Sequence, residues 1–162
     1  MKKAIYLFII LTVIIILLLI FGKKNLSTEI IINAPINKVW KEFTDFTEYQ
    51  KWNPFIKSLT GEIKTGNTIH VVIQPKDGKP MNFKPTIMKL KDNDILQWEG
   101  QLFLPGIFTG KHTFQLIRIE NNKTKFIQKE DFNGILVPFV DLNPTLEGFK
   151  SMNALLKERV EK

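Results

Sequence analysis

The chain has 162 residues, 44% of them hydrophobic, no cysteine and a formal charge of +7. The missing cysteine excludes disulfides, thiolate metal sites, a cysteine nucleophile and lipid attachment at an N-terminal cysteine. Once Lys2, Lys3, Lys23 and Lys24 are set aside from the 23 basic side chains, 19 remain against 16 acidic ones. They are interspersed rather than gathered into a basic stripe, so nucleic acid is not an expected partner.

Residues 4–21 carry no charge, and Thr12 alone among them is neither aliphatic nor aromatic. As a helix they would rise about 27 Å, close to the hydrocarbon thickness of a bilayer, and no small-x-small cleavage site follows. The reading is an uncleaved, single-pass transmembrane anchor over residues 1–24, with one domain over 25–162. Lysines flank both ends, so only the amino-terminal charge tips the orientation, towards the domain outside. The abundance of Lys, Ile, Asn and Phe associates the chain with a bacterium, and hence with a bacterial cell membrane.

Thr28 to Asn33 is a β-branched strand that stops at Ala34-Pro35. Ile36, Val39, Trp40, Phe43 and Phe46 then recur at spacings of three and four, an amphipathic helix with Lys38, Lys41 and Glu42 opposite. A short second turn carries Tyr49 and Trp52 and ends at Asn53-Pro54. From there the period is two, with turns at Thr60-Gly61, Gly66-Asn67, Asp77-Gly78, Asp92-Asn93, Pro105-Gly106 and Asn121-Asn122. Strands are predicted at about 57–63, 67–75, 81–91, 94–103, 108–120 and 123–133 as an antiparallel meander, Pro85 marking an edge or a bulge. Asn143-Pro144 opens a last helix to about Val160, with Leu146, Phe149, Met152, Asn153, Leu156 and Val160 on one face and a weakening Gly148.

Strand phase places His112, Phe114 and Leu116 on one face, and Phe126, Gln128, Glu130 and Phe132 on a face of the next strand. A three-residue connection at residues 121–123 would set Phe114 opposite Glu130, with His112 diagonal to it. Leu96, Trp98 and Gly100 form a further row. Trp40 and Trp52 read as core, whereas Trp98, in a strand, is the better cavity residue. His112, Gln128 and Glu130 are either the convergent polar groups of an apolar site or a set that satisfies itself inside a filled core. His70 and His112 lack ligand spacing, so no metal is expected. Residues 102–108 are unusually apolar for a connection, either an exposed portal or membrane-touching tip or a loop folded over the cavity mouth; residues 135–140 are similarly apolar, and together the two would line an entrance.

The stretches Ala34-Pro35, Val39-Trp40, Asp45, Tyr49 and Trp52-Asn53-Pro54, followed by Gly61, Gly66, Trp98, Gly110, His112, Phe114 and Gly134, resemble the START-like, or SRPBCC, superfamily of polyketide cyclase/dehydrase-type domains. That resemblance implies an α+β helix-grip fold, a curved antiparallel sheet of about seven strands around a long C-terminal helix. It also implies a deep cavity for an apolar or amphipathic small molecule, lipid-like or polyketide-like. The expected ligand-binding residues are Trp98, Gly100, His112, Phe114, Leu116, Gln128, Glu130, Phe149 and Met152. No cofactor is expected, and the membrane is met through residues 4–21. The expectation is a binding domain rather than an enzyme. The alternatives are a cyclase or aromatase in which His112 and Glu130 move protons, because a histidine beside a carboxylate does so near neutral pH, and a protein-interaction domain of the same fold.

Overall fold

The computed structural model describes residues 2–76 and 78–162, so Asp77 of the expected Asp77-Gly78 turn lies outside the described residues. The first helix, α1 (Lys2–Phe21), is exposed along most of its length. The expectation that it spans a membrane is corrected: among the described residues, no helix is long and apolar enough to cross one. Two lysines occupy its first turn. The uncharged stretch after them rises only about 27 Å, short of the roughly 30 Å hydrocarbon core. The single-pass membrane localisation is corrected with it.

Gly22 alone separates α1 from β1 (Lys23–Ile32). Its carbonyl accepts a hydrogen bond from Gly134 N at 2.8 Å; a Cβ on Gly22 would collide with the Gly134 and Leu18 carbonyls, and one on Gly134 with the backbone of Ile107 and Phe108. Gly134 also sits at φ +140, where only glycine is comfortable. After β1, Pro35 leads into α2 (Ile36–Thr44), which buries Ile36, Val39, Trp40 and Phe43 as the spacing requires. A single 3-10 turn and α3 (Tyr49–Trp52) follow.

The remaining strands are β2 (Ile56–Thr60), β3 (His70–Ile73), β4 (Met81–Phe83), β5 (Thr86–Lys91), β6 (Ile95–Leu102), β7 (Phe108–Glu120) and β8 (Lys123–Asn133). They do not form one sheet of seven strands. Five make an antiparallel sheet in the order β1-β8-β7-β6-β5, and three make a second in the order β2-β3-β4. The split falls at Pro85, which divides the expected strand 81–91 because proline has no N–H to donate to a ladder. Its carbonyl still accepts from Ile69 N at 2.9 Å, and a lone bridge from Thr68 to Thr86 spans the corner.

The C-terminal helix α4 (Asn143–Glu161) lies across the large sheet with Phe149, Met152, Asn153, Leu156 and Val160 buried. Phe43 joins α2 to this core, its ring 4.9 Å from Phe114 and 5.3 Å from Phe126. Arg159 ties α4 to α2 through Glu42 at 2.7 Å. The Lys38 ammonium donates to the Val160 carbonyl at 2.6 Å, satisfying a backbone acceptor that the helix end leaves open. A helix gripped by antiparallel strands is thus in place. The grip leaves space at the end of the sheet where β6 and β7 meet residues 134–142.

Candidate functional site

Between the two sheets and the start of α4 lies a cavity of about 610 Å³. The alternation of strands builds its large-sheet wall: Trp98, Gly100 and Leu102 from β6, Phe108, Gly110 and His112 from β7, and Glu130 and Phe132 from β8. The small sheet contributes Val71, Ile73, Met81 and Phe83, and Leu142, Pro144 and Thr145 close the side towards α4. A volume within the range of small-molecule sites, apolar on most sides with few polar groups, suits a ligand that is mostly hydrocarbon.

His112 and Glu130 stand directly opposite each other in the β7–β8 register, and Phe114 faces Gln128. The expected pairing of Phe114 with Glu130 is off by two. The connection is a tighter two-residue turn, with Glu120 opposite Lys123, and a bulge between Arg118 and Glu120 takes up the remaining step. The shift brings the histidine and the carboxyl closer than the diagonal placement allowed. His112 Nδ1 lies 3.7 Å from Glu130 Oε2.

The His112 ring is enclosed on three sides. It stacks on Phe114 at 4.2 Å, meets Phe149 at 4.7 Å and takes Trp98 edge-on at 5.3 Å. Gln128 Nε2 lies 3.0 Å from His112 Nε2. With the amide in this orientation its nitrogen donates and His112 Nε2 accepts, which puts the imidazole proton on Nδ1, facing Glu130, and leaves the buried Gln128 Oε1 without a partner among the described residues. Burial among these rings pushes the histidine down to about 3. Burial, with the neighbouring Asp131 charge second, pushes Glu130 up to about 8. At neutral pH the two are therefore an uncharged pair facing the cavity, not a salt bridge.

Of the residues expected to bind a ligand, Trp98, Gly100, His112 and Glu130 line the cavity together. Phe114, Leu116, Phe149 and Met152 lie fully or almost fully buried in the adjoining core, and Gln128 lies beneath His112. Trp40 packs on Phe43 and Trp52 on Tyr49, away from the cavity. Phe132 lines the cavity on the face expected of it beside Glu130; Gly110 and Phe108 share the inward phase of His112, and carrying that alternation further along β7 would have found them. The small-sheet residues had no such signal, because the second sheet was not foreseen. Among the described residues, no group of three or more His, Asp or Glu side chains is placed to hold a metal ion.

The two apolar connections meet at the mouth. Ile135 N donates to Gly106 O at 3.0 Å and Leu136 N to Ile107 O at 3.1 Å. Phe103 and Leu136 border the cavity, while Phe103, Leu104 and Phe139 are each more than 70% exposed. Phe103 is held at φ +65, a backbone state that costs a non-glycine residue roughly 1–2 kcal/mol.

Solved structures share this architecture at low identity. Ginseng major latex-like protein 151 from Panax ginseng matches with a TM-score of 0.69 and 14% identity, over 87% of this chain and 99% of that one. A START superfamily protein from Mycobacterium smegmatis matches with a TM-score of 0.65 and 17% identity, over 85% and 97%. The di-domain ARO/CYC BexL from the BE-7585A biosynthetic pathway matches at 0.65 and 12% identity over 87% of this chain, which spans about half, 51%, of that protein. No curated protein matches the sequence. The fold is the one shared with the START superfamily protein above; the family model described as polyketide cyclase / dehydrase and lipid transport matches residues 23–161, and the chain therefore belongs to that family.

Proposed function

We propose that this protein binds an apolar or amphipathic small molecule, lipid-like or polyketide-like, in the cavity walled by Trp98, Gly100, His112 and Glu130. The observation that carries the reading is the cavity of about 610 Å³ with apolar walls, opening between two exposed apolar loops. Apolar surface leaving water stabilises the complex by about 25 cal/mol per Å², and the two polar groups set the orientation of the ligand. The family's description, which includes lipid transport, agrees with this use.

The test is native mass spectrometry of the full chain purified without denaturation, beside uptake of the neutral apolar fluorophore N-phenyl-1-naphthylamine. The expected result is a bound small-molecule mass or saturable uptake, lost in Gly100→Trp. An ideal Cβ at Gly100 meets only Pro85, at 3.4 Å, so the indole has space to enter the cavity while the strand stays in place. An empty chain that takes up no fluorophore overturns the reading.

A second reading, a cyclase-like enzyme, is favoured by one feature: His112 and Glu130 are neighbours whose environments push their proton affinities apart, the arrangement that assigns acid and base roles. The carboxyl would act as the acid, and the His112 Nδ1–H, with Nε2 held by Gln128, would donate a hydrogen bond to the oxygen being protonated. Turnover of a polyketide-like substrate that vanishes in both Glu130→Gln and His112→Phe, with uptake of the fluorophore intact, supports this reading; binding without turnover removes it.

A further inference from the structure

We propose that the cavity selects uncharged amphipathic molecules bearing a carbonyl or hydroxyl oxygen, and that this oxygen is held between the Glu130 carboxyl and His112 Nδ1. The inference deepens the cavity-binding reading and rests on it.

The geometry is that of two donors waiting for a shared acceptor. At 3.7 Å, His112 Nδ1 and Glu130 Oε2 are too far apart for a hydrogen bond to each other, yet one oxygen can lie about 2.8 Å from both. Among the described residues, Glu130 has no hydrogen-bond partner at its carboxyl. Its side chain keeps 16% of its surface exposed, and it lines the cavity. The Nδ1 proton faces the same point, because Nε2 is already used in accepting from Gln128.

Gly110 makes the arrangement possible: an ideal Cβ there would meet Glu130 Oε1 at 2.5 Å, so the carboxyl occupies the volume a side chain would take. Beside this pair stand the rings of Trp98 and Phe132, which themselves carry no charge, while the other polar side chains of the cavity lining are Lys76, Gln101, Asp141 and Thr145.

The chemistry then sorts head groups. Burial keeps the proton on Glu130 at neutral pH and keeps His112 uncharged, so both present N–H or O–H groups to the ligand. A ketone oxygen accepts from both. A hydroxyl accepts from His112 and can also donate to the Glu130 carbonyl oxygen. An alkylammonium can donate to that same carbonyl oxygen, but it offers His112 Nδ1–H no acceptor and, like a carboxylate, brings a full charge into apolar surroundings, while an alkane leaves both polar groups unpaired.

The experiment is displacement of N-phenyl-1-naphthylamine from the full chain at pH 7 by five probes of equal chain length: 2-undecanone, 1-undecanol, undecane, undecylamine and undecanoate. The ketone and alcohol are expected to compete at concentrations about tenfold or more below the other three, the discrimination worth about one well-made hydrogen bond. Glu130→Leu is expected to abolish that preference, read as the ratio of competing concentrations among the five probes within the variant itself. Gly110→Ala, which keeps both polar side chains but crowds the carboxyl, is expected to reduce it at least threefold, and serves if Glu130→Leu does not fold. Equal competition by all five probes, or a preference that survives these variants, overturns the oxygen clamp and leaves the cavity reading standing. No fluorophore uptake by the wild-type chain overturns both.

Discussion

Replacing Glu130 by Gln removes a titrating group from the wall of the cavity while preserving its shape, and the consequence for stability can be worked from two proton affinities. In the folded chain Glu130 is raised from 4.5 to about 8, so the stability linked to its proton is complete below pH 4.5 and is lost as pH rises towards 8. His112 is lowered from 6.5 to about 3, so its contribution is complete above pH 6.5 and is lost as pH falls towards 3. Between pH 4.5 and 6.5 the two slopes oppose each other. Between 6.5 and 8 only Glu130 acts, at about 1.4 kcal/mol per pH unit, so the wild-type chain is expected to lose about 2 kcal/mol across that window. This is an upper bound, because the side chain retains 16% exposure and water entering the cavity would stabilise the carboxylate. Urea unfolding followed by tryptophan fluorescence at pH 6.5, 7.2 and 8 measures it. Glu130→Gln is expected to hold nearly constant stability where wild type declines. Parallel curves for the two proteins would refute the claim that this carboxyl keeps its proton in the fold.

Two further substitutions test packing. In Gly148→Ala, the gain of up to about 1 kcal/mol in helix propensity is expected to be outweighed by collision of the new methyl with the Phe55 ring, for a net loss of about 1–3 kcal/mol in urea unfolding. In Tyr49→Phe, the packing against Phe46 and Trp52 is retained but the buried hydroxyl that donates to Phe43 O at 2.6 Å is lost. The same measurement is expected to show a loss of about 1–2 kcal/mol.

These cases mark where sequence reasoning ends. Gly148 reads in the sequence only as a weak point in a helix. In the structure it is where α4 passes against Phe55, a contact between residues 93 positions apart that no local pattern encodes. The apolar run of residues 4–21 likewise announces a helix, and the helix exists, but crossing a bilayer demands a length and apolarity that no described helix meets.

The sequence by itself determined the secondary structure and much of the cavity's polar wall. Amphipathic spacing set α2 and α4, proline and glycine punctuation set the turns, and strict alternation set which residues of β6, β7 and β8 face inward. Strand phase is a local property, so Trp98, Gly100, His112 and Glu130 could be placed on the inward face from the chain alone. Tertiary structure decided the rest. A bulge between Arg118 and Glu120 set the register that puts His112 directly across from Glu130, and Pro85 turned one sheet into two, bringing Val71, Ile73 and Met81 over the cavity. Register and sheet division depend on pairings between distant segments, where a single added residue reverses which side chains meet. The enclosure of His112 by Phe114, Phe149 and Trp98 is of the same kind, and it is what leaves a neutral imidazole and a protonated carboxyl facing one another at neutral pH.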